Sequence, residues 1–144
     1  MDISAQALAV AKRNAQQHQV DINFFQKDIL DTNNLEFENH TFDIMISNPP
    51  YVTNSEKAMM HRRVLNYEPK LALFVSDNQP LLFYNAIANF AQYRLKLGGY
   101  LYLEINERMG KEVQALLRNY GFDNIELKKD FNNKDRMIKA LKAK

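Results

Sequence analysis

The pair Pro49-Pro50 constrains the fold more than any other feature of the chain. Ahead of it lies Phe42-Asp43-Ile44-Met45-Ile46-Ser47, whose continuous apolar run is the pattern of a strand covered on both faces. Neither proline can donate to a ladder, so a strand Phe42–Ser47 has to end at Asn48-Pro49-Pro50-Tyr51. The C-terminal end of a buried strand is where open α/β sheets hold their ligands. The rest of the chain alternates to match. Ser4 caps a helix Ala5–Gln17 whose small apolar face is Leu8, Ala11 and Ala15, and residues 22–26 read as a strand followed by a loop through Asn39. Residues 52–79 form a long excursion with a short apolar segment at 71–75, and a loop of that length is usually functional. Pro80 opens a helix with Phe83, Tyr84, Ile87, Phe90 and Ala91 on one face, and Gly98-Gly99 stops it ahead of a strand at 100–105. Gly110 precedes a helix carrying Val113, Leu116, Leu117 and Tyr120, which Gly121 ends. Strands at 125–128 and 137–141 flank the turn-rich Asn132-Asn133-Lys134-Asp135. With no repeat or linker, the pattern is one α/β domain over residues 1–144.

Composition excludes several classes of chemistry. Cysteine is absent, which removes disulfides, thiolate metal sites and cysteine nucleophiles and suits a cytoplasmic protein. The three histidines, His18, His40 and His61, have no ligand-like spacing, so no metal is expected. No apolar run approaches the ~20 residues of a membrane helix, and polar residues interrupt the start where a signal peptide would be apolar. The charge is uneven: residues 94–144 carry 12 basic and 7 acidic side chains, a surplus of five, against a whole-chain net of +2. That face is either solvated surface or a dock for something acidic.

Asn48 to Tyr51 can do specific chemistry. The Asn48 side-chain oxygen and the Pro49 carbonyl can both accept hydrogen bonds from one NH2 group, Pro50 stiffens the corner, and Tyr51 offers a flat face to a planar group. An amide or aromatic amine is a poor nucleophile because its lone pair is delocalised. Holding both N–H bonds in acceptors favours rehybridisation and aims the lone pair, which is positioning rather than base catalysis. The plain alternative is that the tetrapeptide is only a turn.

Taken together these residues resemble the release factor glutamine methyltransferases of the HemK type. The resemblance runs from Asp2-Ile3-Ser4 and its helix through Ser47-Asn48-Pro49-Pro50-Tyr51, then Tyr67-Glu68-Pro69-Lys70-Leu71-Ala72-Leu73-Phe74 and Phe83-Tyr84. It continues to Leu103-Glu104-Ile105, Lys129-Asp130 and Asp135-Arg136. The Glu-Pro-Lys-Leu-Ala-Leu segment is the specific part, since Asn-Pro-Pro-Tyr is shared with nucleic-acid amino-methyltransferases. The resemblance implies S-adenosylmethionine as cofactor, and methylation of a Gly-Gly-Gln glutamine side chain in peptide chain release factors. It implies that Asp2 holds the ribose hydroxyls, the alternative for Asp2 being an acid interacting with a helix dipole. It also implies that Asp28 and Ile29 lie along the adenine, Ile29 by apolar contact, and that Asn48 to Tyr51 bind the glutamine, Asn48 contacting the cofactor as well.

Departures from the family pattern carry expectations too. Nothing here resembles the glycine-rich loop that follows the family's first strand, and Val75-Ser76-Asp77-Asn78 replaces a usually glycine-rich stretch, which should stiffen it. The implied fold is a Rossmann-like class I methyltransferase sheet lacking its first strand and most of its second, mainly parallel with an antiparallel C-terminal strand. Such a fragment is expected to be inactive by itself. The edge so exposed should pair with another chain in self-association, or residues 22–26 should move in beside Phe42–Ser47. Nucleic acid is not expected as a partner except through the ribosome, nor is a membrane. The competing readings are a nucleic-acid amino-methyltransferase, favoured by the basic C-terminal part, and a non-catalytic α/β module for oligomerisation or binding.

Overall fold

A computed structural model describes residues 1–31, 37, 40–60, 62–67 and 69–143, and the chain divides into two compact units, Met1–Asn34 and Leu35–Lys144. In the first, Ser4 Oγ accepts the Ala7 N–H at 3.2 Å and starts helix α1, Ala5–Gln17. Leu8 and Ala15 are its buried residues, on the face the heptad-like spacing marks. Residues 22–26 do not form the expected strand. Their pairing is one isolated parallel bridge, Asp2 with Gln26, where the Asp2 N–H donates to the Phe25 carbonyl and the Lys27 N–H to the Asp2 carbonyl, both at 3.1 Å. An apolar run is a strand only when a neighbour extends the ladder, and here the partner chain is one residue long. The rest of the expected loop through Asn39 lies largely outside the described residues.

The second unit is built on a four-stranded sheet of β1 (Phe42–Ser47), β4 (Leu95–Glu104), β6 (Asp135–Lys142) and β5 (Phe122–Lys129), in that spatial order. β1 is parallel to β4, and β6 is antiparallel to both its neighbours. Three strands therefore run one way and the C-terminal strand against them. Helices α4 (Leu82–Arg94) and α5 (Gly110–Asn119) pack on one face. Tyr84, Ile87, Val113 and Leu117 of the helices and Leu101, Leu103, Ile138 and Ala140 of the strands are all buried. Each large side chain so removed from water contributes roughly 1.5–3 kcal/mol. Lys142 closes the end of α4, its Nζ donating to the Gln92 carbonyl and, at 2.7 Å, to the Leu95 carbonyl, where the helix leaves acceptors unmet. No helix among the described residues is long and apolar enough to cross a membrane.

Several expectations are corrected. β1 is the terminal strand of the sheet and is not covered on both faces: Ile44 is 56% and Ile46 80% exposed. Residues 22–26 contribute no strand to the described sheet, whose order is β1-β4-β6-β5. Gly98-Gly99 does not stop α4, which already ends at Arg94; the pair lies within β4 at an irregularity between the Phe42–Leu95 and Ile44–Tyr100 pairs. A Cβ at Gly99 would stand 2.8 Å from the Asp43 carbonyl oxygen and 2.9 Å from that of Lys96, both backbone atoms, so only glycine lets the strands meet. Gly99→Ala is expected to lower the unfolding free energy by about 1–3 kcal/mol in urea denaturation, by forcing β1 from β4. An unchanged midpoint would mean that the strands part freely at this point.

Residues 52–79 are more ordered than a loop. They hold strands β2 (Val52–Thr53) and β3 (Phe74–Val75), which pair in parallel, a 3-10 helix Asn54–Met59, and short helices α2 (Arg62–Tyr67) and α3 (Lys70–Leu73). The excursion is pinned at its base by that pairing and by the Ser55 N–H donating to Asp77 Oδ1 at 2.9 Å. Glu68, within the segment quoted for the resemblance, lies outside the described residues.

Candidate functional site

In the first unit the bridge between Asp2 and Gln26 sets Asp2 beside the segment that leads to Asp28 and Ile29. Asp2 Oδ1 accepts the Ser4 N–H at 2.7 Å, and no partner holds its other oxygen among the described residues. Asp2 thus braces the start of α1, as the helix-terminal alternative requires, and still presents an acceptor from an exposed position. Asp28 Oδ1 likewise accepts the Leu30 N–H at 2.9 Å, turning the chain so that Ile29 is half-buried.

In the second unit Asn48 to Tyr51 follow directly on β1. Asn48 is exposed and Pro49 buried, and among the described residues neither the Asn48 side chain nor the Pro49 carbonyl has a hydrogen-bond partner. The two oxygens are not consumed by neighbouring backbone, as they would be in a plain turn. Tyr51 is different, since it is tied from below. Its hydroxyl donates to Glu104 Oε1 at 2.6 Å and accepts from Arg136 Nη1 at 3.3 Å. The Arg136 guanidinium lies 6.0 Å from the ring centre. Arg136 Nη1 also donates to the Ile105 carbonyl at 3.2 Å, and its Nε lies 3.6 Å from Asp130 Oδ2.

A second anchor is Asn106, only 5% exposed. Its Nδ2 donates to the Tyr51 carbonyl at 3.1 Å and to Glu56 Oε2 at 2.9 Å, its Oδ1 accepts the Arg108 N–H at 3.0 Å, and its own N–H donates to the buried Tyr84 hydroxyl at 3.1 Å. Glu56 Oε2 further accepts the Thr53 N–H and hydroxyl, both at 2.9 Å. Burial works against the charge on Glu56, but the Thr53 and Asn106 hydrogen bonds and the Arg108 cation outweigh it, and the carboxyl is held below its ordinary range. Glu56, Glu104, Asn106 and Arg136 were not singled out by role from the sequence. The available signal was a charge at the end of the apolar run that closes β4, followed after Ile105 by a lone asparagine. Among the described residues no group of His, Asp and Glu could hold a metal ion.

Burial first, and then the Glu104 hydrogen bond and charge, push the Tyr51 phenol up to about 12 against the pull of Arg136. Burial pushes Tyr84 up as well. Ultraviolet titration of the seven tyrosines is expected to show these two ionising last, with one late transition lost in Tyr51→Phe. Because the folded value is raised, the stability tied to the neutral Tyr51 phenol is complete below the unfolded value of ~10 and drains as pH rises toward about 12. A Tyr51 that titrates with the exposed phenols would refute the Glu104 contact.

The family model described as the methyltransferase small domain matches residues 1–72. The release factor glutamine methyltransferase of Flavobacterium psychrophilum is 52% identical over 140 residues, covering 97% of this chain and 48% of its own. The chain thus spans about half the length of the curated relatives it matches. Among solved structures, a methyltransferase from Pyrococcus furiosus superposes with a TM-score of 0.66 at 15% identity, over 99% of this chain and 60% of that one. A release factor-specific protein-(glutamine-N5) methyltransferase from Alicyclobacillus acidocaldarius does so with a TM-score of 0.54 at 20% identity, over 99% and 77%. At those identities the structures speak for the shared fold alone.

Proposed function

This chain belongs to the methyltransferase small domain family, and on that premise we propose that it carries the acceptor half of an enzyme transferring a methyl group to the side-chain amide nitrogen of a release factor glutamine. The observation that carries the reading is the pair of oxygens, on Asn48 and Pro49 at the end of β1, that have no hydrogen-bond partner among the described residues. When bound, S-adenosylmethionine supplies the electrophilic methyl carbon. The Asp2 oxygen that no described residue holds suits ribose hydroxyls, and half-buried Ile29 suits a purine edge, so the residues present fit that cofactor. The remaining chemistry is orientation. Asn48 Oδ1 and the Pro49 carbonyl each accept one N–H of the carboxamide, and the Tyr51 ring backs its plane. The nitrogen lone pair is thereby turned out of conjugation; as the N–C bond forms, the S–C bond breaks with its electron pair kept on the sulfur of the departing S-adenosylhomocysteine, and one held proton passes to water.

The nucleic-acid reading draws on the basic C-terminal part, but several of its cations are already held by partners. Lys139 meets Glu126 at 3.0 Å, Lys134 meets Glu107 at 2.8 Å, and Lys142 caps α4. A chimera in which these residues replace the matching half of a curated relative tests the proposal. With labelled S-adenosylmethionine it should methylate a Gly-Gly-Gln peptide or release factor and leave DNA and RNA unlabelled. Label on adenine, with steeply salt-sensitive binding, would replace this reading with the other. The chain alone is proposed to lack turnover and to self-associate through the outer edge of β1, the terminal strand of the described sheet. Sedimentation should become concentration-dependent, and Ile46→Lys should return it to a monomer. A monomer at all concentrations would refute the edge pairing.

A further inference from the structure

Arg136 is anchored more heavily than a surface cation needs to be. It spans the Ile105 carbonyl at 3.2 Å, the Asp130 carboxylate at 3.6 Å and the Tyr51 hydroxyl at 3.3 Å, and Asp130 is itself fixed by the Asn132 and Lys134 N–H groups at 2.8 and 3.0 Å. Its backbone carbonyl accepts the Ile105 N–H at 2.9 Å, so the residue is locked to the end of β4 by main chain and side chain alike. On the far side of the same hydroxyl stands Glu104 at 2.6 Å. A phenol that donates to a carboxylate and accepts from a guanidinium has one hydroxyl direction, and its ring has one plane. An aromatic ring without such a clamp would turn about its two side-chain torsions, and a stacking face that turns does not orient a planar substrate.

We propose that Arg136 is a positioning residue, acting through the Tyr51 hydroxyl that it shares with Glu104 to fix the ring plane against which the acceptor carboxamide packs. The inference rests on the glutamine reading above and adds to it a residue far along the chain. Arg136 does not reach the substrate; it determines how Tyr51 does.

Two measurements separate this from a structural role. In the chain itself, a hydroxyl whose proton is held by Glu104 and whose oxygen accepts from Arg136 exchanges slowly enough to give an NMR signal, identified by its loss in Tyr51→Phe; that signal should vanish in Arg136→Gln, in a variant that still unfolds cooperatively. In the chimera, Arg136→Gln should lower kcat about tenfold with peptide KM and S-adenosylhomocysteine affinity little changed, Arg136→Lys should recover part of the loss, and in the Tyr51→Phe background the same Arg136→Gln change should do almost nothing further. Equal losses in both backgrounds, or a hydroxyl signal that survives Arg136→Gln, would overturn the proposal. Should Arg136→Gln fail to fold, Glu104→Gln is read by the same two measurements, with the same outcomes deciding. A chimera that binds S-adenosylhomocysteine and shows the clamped hydroxyl, yet leaves glutamine unmethylated, would instead sink the glutamine reading and Arg136's part in that reaction, while the clamp stood.

Discussion

Asn48→Ala, introduced into the chimera, is expected to reduce methyl transfer by on the order of 10²–10³-fold while leaving S-adenosylhomocysteine affinity within about twofold, because it removes one of the oriented groups that meet the reacting amide. The size follows from what the side chain does not do. It is exposed, and no partner holds it among the described residues, so its removal leaves no buried group unsatisfied and no cavity to collapse. A loss of activity therefore cannot be blamed on the fold, and thermal denaturation should match the parent. Asn48→Asp keeps an acceptor oxygen at the same distance from the backbone and should lose less than alanine. Turnover that survives Asn48→Ala would place the acceptor elsewhere; a loss matched by weaker cofactor binding would make Asn48 a cofactor ligand first.

The parts of this fold that were legible in the sequence are those set by neighbours in the chain. β1 ends where Pro49 forbids another ladder bond, α1 begins where Ser4 can cap, and α5 ends before Gly121, whose φ of +79° suits glycine. What misled was context. Gly98-Gly99 reads as a helix stop in any local window, yet it serves the close approach of Asp43 in a strand more than fifty residues upstream. Residues 22–26 have strand composition and lack a neighbour to make them one. The same holds at the site. Asn48, Pro49, Pro50 and Tyr51 announce themselves by adjacency, whereas Glu104 meets Tyr51 across 53 residues of chain and Arg136 across 85. Local patterning carries no record of such pairings, and only the topology that brings the end of β4 and the start of β6 under the Pro-Pro corner reveals them.

Asn106 shows how far the corner depends on what lies beneath it, and its substitution should have the largest effect on stability. Asn106→Ala removes the donor to the Tyr51 carbonyl, one of the three donors to Glu56 Oε2, and the acceptor for the Arg108 N–H, in a site that is 5% exposed. Each buried group left without its partner costs ~1–3 kcal/mol, so a combined loss of roughly 2–4 kcal/mol is expected in urea denaturation. Asn106→Asp is the sharper experiment, because it is isosteric. At neutral pH it sets a carboxylate 2.9 Å from Glu56 Oε2, in place of the amide that Glu56 now accepts from. Like charges at that distance raise the folded value of the new acid above its unfolded one. Protons are then bound more tightly in the folded state, so the variant should be least stable near neutrality and regain stability as the pH falls through that raised value. The parent should behave oppositely on acidification. Glu56 is held low by Thr53, Asn106 and Arg108, so its contribution is present above the unfolded carboxylate value and is lost as pH falls. Stability curves for parent and Asn106→Asp should therefore converge in acid. Parallel curves would mean that Asn106 does not face Glu56, and that the Tyr51 carbonyl is held by something other than this amide.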